Sequence, residues 1–147
     1  AVSVMVEIVW FFSQARWLPL LSLTAWLVLC AALMVLRMAM TAAAADWLLV
    51  ILLAQMLHAF TFATHHTACI ALLSHHFPGR LRGRGQALYT VVAYGLPGVL
   101  GGLGGGVLSS KYGLASVFWC SVATAVVATA CAFMVWRQRH PTVPAPG

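Results

Sequence analysis

Charge is what this sequence has least of. Glu7 and Asp46 are its only acidic residues, and charged residues of both signs make up 7% of the 147, against roughly 25% in a soluble domain. A water-exposed surface cannot be built from so few charges, so an ordinary soluble domain is excluded. No nucleophile, base and orienting carboxylate stand together, and an enzyme is not expected. No C-x-x-C occurs among Cys30, Cys69, Cys120 and Cys131. Each lies in an apolar run and reads as a small core residue, not as a metal ligand or part of a disulfide framework. No G-K-[ST] ends the glycine-rich run, so it is no phosphate loop, and no metal or other cofactor is expected. The basic residues form no face with interleaved aromatics, which argues against nucleic acid as a partner. The opening AVSVMVEIVWFF has no initiator Met, no basic flank and no small-residue cleavage site. It is therefore not a signal peptide. It reads as a helix cut in the middle, and the chain as a fragment of a longer protein.

What is abundant is apolar sequence: 63% of residues are hydrophobic and the mean hydropathy is +0.96. Lipid is the solvent that suits such a chain, and its length accommodates about four spans of roughly 20 to 25 residues. Residues 1–13 form the end of a span, and SQARW (13–17) is a polar break. Full spans are expected over 18–40, 47–73, 86–108 and 114–136. Pro19 stands near the start of the first, where its missing N–H does no harm, and Asp46 is a candidate N-cap for the second. HHFPGRLRGRG (75–85) is a loop by its proline, glycines and arginines. The tail, 141–147 above all, is polar and Pro-rich, and disorder on the cytoplasmic side is expected of it.

If every span crosses once, Arg16, Arg80, Arg82, Arg84, Arg137 and Arg139 fall on one side, and Arg37 and Lys111 on the other. The richer side is cytoplasmic by the positive-inside rule. The expectation is a multi-pass protein of the cell (inner) membrane with its C-terminus in the cytoplasm. Trp17, Trp47 and Trp136 mark span ends as an aromatic belt does.

Ionisable residues within spans are costly and mark function by default. Glu7, Arg37 and His58 are such residues. Two readings of Arg37 stand, a cavity residue or an interfacial anchor that snorkels outward. His58 is either a functional group or a hydrogen-bonded core residue. At about 100° per residue, His58, Thr61, Phe62 and His65 share one helix face, a polar stripe that should line a bundle interior or a cavity. His66 borders it. GLPGVLGGLGGG (95–106) holds Gly98 and Gly102, and Gly102 and Gly106, at the spacing that lets another helix approach closely. Pro97, beside Gly95, should loosen the helix. Static packing and a hinge are both compatible with that run.

The order of these features resembles the C-terminal half of major facilitator superfamily transporters. The stretches that carry it are Glu7-Ile8-Val9-Trp10-Phe11-Phe12, Arg37, Met56-Leu57-His58, Gln86-Ala87-Leu88-Tyr89, Tyr112-Gly113 and Val117-Phe118-Trp119. The nearest branch is that of the phenylpropionate permeases and nucleoside–proton symporters, with the lactose permeases more distant. The resemblance implies an all-α integral membrane fold, the end of one span plus four full spans of a twelve-span transporter. It implies alternating-access, proton-coupled symport of a small organic solute, with protons, the bilayer and an N-terminal half of the same transporter as partners. Glu7, Arg37 and His58 fall at cavity positions of that fold, with Thr61 and His65 on the same stripe as further solute- or proton-handling candidates. Gly95, Pro97, Gly98, Gly102 and Gly106 fall in the packing or gating helix. One departure stands out. Lactose permeases carry a carboxylate one turn after the His, where this chain has Thr61, and a hydroxyl does not exchange protons near neutral pH. The alternative to a transporter is a membrane anchor or oligomerisation module that moves no solute.

Overall fold

A computed structural model describes residues 2–138. The tail expected over 141–147, and Arg139, lie outside the described residues. Helix α1 (Val2–Trp17) runs into a short 3-10 turn, Leu18–Leu20. Helices α2 (Leu23–Ala44) and α3 (Leu48–His76) follow. Then come a second 3-10 turn at Gly79–Leu81, α4 (Arg82–Thr90), a π-helical turn at Val91–Gly95, α5 (Leu96–Tyr112) and α6 (Leu114–Gln138). Four stretches are long and apolar enough to cross a membrane: Leu23–Ala44, Leu48–His76, Gly79–Tyr112 and Leu114–Gln138. The fold is all-helical.

The helix boundaries have local causes. SQARW does not break α1. Its polar side chains are absorbed, Ser13 by the Trp10 carbonyl at 3.1 Å and Gln14 by Thr67 at 2.9 Å, and nothing before Pro19 removes a backbone donor. The break falls at Leu18–Leu20 instead, where Pro19 both lacks an N–H and restricts its predecessor. Trp26 closes the turn by donating its indole N–H to the Leu18 carbonyl at 2.9 Å. Helix α2 therefore starts at Leu23, with Ser22 as its N-cap accepting from the Ala25 N–H at 3.2 Å. The alanines at 42–44, the best helix formers, carry α2 on to Ala44. That moves the turn toward α3, whose N-cap is Trp47 without a side-chain bond. Asp46 is thus in the turn and not the cap.

The arginine-rich loop is shorter than its composition suggests. Helix α3 runs to His76, the left-handed Gly79 (φ +60°) turns the chain, and helix resumes at Arg82. Gly85 is the tight point here: a Cβ placed on it would lie 2.8 Å from the Phe77 ring. Gly85→Ala is expected to cost ~1–3 kcal/mol by overpacking. Gly83→Ala meets nothing within 4 Å and should be neutral or gain up to ~1 kcal/mol of helix propensity. Thermal unfolding of the two variants in detergent checks the contrast.

Helix α2 lies along α6 and against α3, α3 also lies against α1, and α5 contacts α6. The buried residues are small: Ala54, Ala59, Thr61, Ala63, Thr64 and Ala68 on α3, Thr24 and Cys30 on α2 and Ala125 on α6, with Trp26 the large exception. Lipid tails are as apolar as leucine, so helices in a membrane associate through close van der Waals contact and interhelical hydrogen bonds rather than through hydrophobic burial. Alanine and threonine at four-residue spacing permit that approach. The large apolar residues, such as Phe12, Leu100, Leu103 and Val127, point outward. The glycine run of α5 is different from the α3 interface. A Cβ added at Gly98, Gly102 or Gly106 would meet nothing within 4 Å, and at Gly105 only Val117 at 3.6 Å.

Candidate functional site

Helices α1 and α3 run parallel, because contacts between them advance together along both. Glu7 faces His58, Trp10 donates its indole N–H to the Thr64 hydroxyl at 2.8 Å, and Gln14 accepts from Thr67 at 2.9 Å. Trp10 also meets the Phe60 ring edge-on at 4.5 Å. This register sets Glu7 Oε1 3.9 Å from His58 Nε2, the distance of an ion pair when the imidazole is protonated. It also puts the C-terminal ends of α1 and α3, with Arg16 and the Arg80–Arg84 cluster, on the same side of the bundle.

Arg37 comes from α2. Its Nη2 donates to the Met34 sulfur one turn earlier, at 3.0 Å. Its Nε is buried without a hydrogen-bond partner among the described residues, and so is His58 Nδ1. Glu7 and His58 thus meet across α1 and α3, and α2, which carries Arg37, packs on α3. A buried polar nitrogen left unpaired costs ~1–3 kcal/mol.

The polar stripe of α3 divides. Thr61 is buried and gives its hydroxyl proton to its own helix, 2.8 Å from the Leu57 carbonyl and 3.2 Å from that of His58. Only its oxygen lone pairs remain for another partner. Thr61, Phe62 and His65 line a cavity of about 270 Å³ together with Cys30, Met34 and Tyr94. His58 stands apart from that cavity, bridged to it by Phe62, whose ring centre is 5.6 Å from the imidazole. His65 reaches the Cys69 sulfur at 3.7 Å. Among the described residues no three of His, Cys, Asp and Glu converge as metal ligands would.

Of the helix-breaking residues, Pro97 opens α5 directly after the π turn that ends at Gly95. Gly98, Gly102 and Gly106 lie on α5 beyond it. Two groups that were not site candidates from the sequence also meet here: Tyr89 and Tyr94. The Tyr94 hydroxyl lies 3.0 Å from His66 Nδ1 and 3.3 Å from the Tyr89 hydroxyl. Their separation of five residues fits neither helical periodicity, so no pattern search over an α-helix would pair them.

A family model described as the MFS_1 like family matches residues 1–120. Neither curated proteins nor solved structures yield a match.

Proposed function

The chain belongs to the MFS_1 like family, and from that premise we propose that it forms part of a proton-coupled symporter for a small organic solute. Members of the family are transporters of the major facilitator kind, and this chain is accordingly a multi-pass membrane protein that works in a bilayer on a transported solute. Coupling, substrate class and branch are the proposal. The observation that carries it is the approach of Glu7 to His58 within the span region, with buried nitrogens on His58 and on Arg37 left unpaired.

In this reading His58 and Glu7 hold the transported proton between them. An imidazole is the side chain whose ordinary charge change falls in the physiological range, and His58 Nε2 stands 3.9 Å from Glu7 Oε1. This assigns to the pair the role that the missing carboxylate at Thr61 leaves vacant. Arg37 attracts an anionic group of the solute, and its free Nε is the donor that would meet it. Phe62, Thr61 and His65 shape the adjoining wall. An anionic aromatic acid suits a guanidinium beside an aromatic ring, in keeping with the phenylpropionate permease branch. Gly95 and Pro97 interrupt the helix that would flex as the two halves rock about a site near the midplane. Gly98, Gly102 and Gly106, open on this chain, offer the close approach at which an N-terminal half would pack. The shared side of Arg16 and Arg80–Arg84 supports the cytoplasmic assignment of that face and of the C-terminus in a cell (inner) membrane.

Uptake by vesicles holding the full-length protein under an imposed pH gradient tests the proposal. The panel is one aromatic acid, one sugar and one nucleoside, with wild type compared against His58→Ala and Arg37→Ala. Gradient-driven uptake of one class, lost by at least tenfold in both variants at equal membrane abundance, is expected. Uptake that survives both changes removes the site assignment. No uptake of any class by wild type favours the anchor or oligomerisation module.

A further inference from the structure

The π turn at Val91–Gly95 has a cause and a consequence. Its cause is Pro97. A proline has no N–H to give the carbonyl four residues back, here that of Ala93, and its ring presses on that carbonyl. The helix relieves this by widening one turn upstream, and the Leu96 N–H reaches back five residues to the Val91 carbonyl. Single π turns of this kind recur at functional sites.

The consequence falls on Tyr94. In an uninterrupted α-helix, residues 89 and 94 would stand roughly 140° apart around the axis. The wider turn closes that angle. The two phenol rings meet edge to face at 5.5 Å, with their hydroxyls 3.3 Å apart. His66 on α3 holds the Tyr94 hydroxyl from the other side at 3.0 Å. Both tyrosines line the cavity that Phe62, Met34 and Cys30 share. Those three neighbours carry no strong hydrogen-bonding group, the Thr61 proton is already spent on its own helix, and His65, also in the lining, lies against the Cys69 sulfur, 3.7 Å from Nδ1 and 3.8 Å from Nε2. A phenol offers one donor and two acceptor positions. His66 and Tyr89 occupy two of the three, and one remains.

We infer that Tyr94, set in place by the Pro97-induced π turn and oriented by His66, is a specificity-determining residue that recognises a hydroxyl group on a solute whose body is otherwise apolar. The inference rests on the transporter reading above, but not on Glu7, Arg37 or His58. Pro97 is a positioning residue for this contact, and His66 is a second.

The test compares two probes in vesicles holding the full-length protein: an aromatic acid with one ring hydroxyl, and the same acid without it. Tyr94→Phe keeps the ring and removes the contact. It should raise the half-saturating concentration of the hydroxylated acid about tenfold, the worth of one such hydrogen bond, and leave that of the plain acid unchanged. Pro97→Ala, which lets the helix close to regular α geometry, should reproduce the same selective loss. The double variant should be no worse than either single one. Equal effects on both acids, or none in Tyr94→Phe, would overturn the inference while wild-type uptake leaves the transporter reading standing. A wild type that takes up neither acid, whatever else it carries, overturns this inference, and wild-type failure with every solute class overturns the transporter reading as well. If Pro97→Ala does not reach the membrane, Tyr94→Phe alone decides.

Discussion

Glu7→Gln in the full-length protein should cut pH-gradient-driven uptake at least tenfold while leaving solute exchange at equal pH nearly intact. The substitution keeps the shape of the side chain and its hydrogen-bonding oxygen but removes the negative charge 3.9 Å from His58 Nε2. Without that carboxylate the His58 Nε2 has no anionic partner among the described residues, and the proton gradient loses its handle on the cycle. Tenfold corresponds to about 1.4 kcal/mol, a modest demand on a charge pair inside a membrane protein. Exchange at equal pH needs no net proton movement, so it separates coupling from solute binding. Equal loss in both assays would instead make Glu7 a binding residue. Retention in both would make the pair a structural contact between α1 and α3.

The spans themselves were legible because their signal is an average over twenty residues, and no single position decides it. The ends were not, because single residues decide them. The polar letters of SQARW suggested a break, yet Ser13 and Gln14 find partners within and beside α1 and the chain stays helical to Trp17. Pro19 and the Ser22 cap, three and six residues beyond Arg16, set the boundary. Asp46 was the right residue type for a cap, but the helix-forming alanines at 42–44 extend α2 to Ala44 and leave Asp46 in the turn before the Trp47 cap.

Glu7, Arg37 and His58 stood out in the sequence as costly ionisable residues in apolar runs, and the fold sets Glu7 and His58 3.9 Å apart. The fate of the polar stripe was not legible, because helical phase says which face a side chain occupies but not what the neighbouring helix offers it. Thr61 turned back on its own carbonyls. His66, one position off the stripe, found Tyr94. That pairing depends on a π turn, which shifts the phase of everything before it, so a reading at 100° per residue could only miss it.

The glycines of α5 drew attention as the close-packing surface, yet within this chain that surface is α3, and Ala63→Leu should be among the most destabilising single changes. Ala59, Ala63 and Ala68 are all 0% exposed. Ala63 also sits next to Thr64, which takes the Trp10 hydrogen bond that ties α1 to α3. Three added carbons have no free volume to enter, so α3 must separate from its neighbours or the new side chain must take a strained rotamer. Overpacking of this kind costs ~1–3 kcal/mol and sometimes more, and the loss is compounded if the Trp10–Thr64 and Gln14–Thr67 bonds lengthen with it. Ala63→Gly should cost only ~1 kcal/mol, the helix-propensity difference. Leu100→Ala, at a side chain 70% exposed, should fall within ~0.5 kcal/mol of wild type. Thermal unfolding of the three variants in one detergent orders them. An Ala63→Leu protein as stable as wild type would mean that α3 is not closely packed against its neighbours at Ala63. The register that holds Glu7 against His58 would then rest on the Trp10–Thr64 and Gln14–Thr67 hydrogen bonds and the Trp10–Phe60 contact.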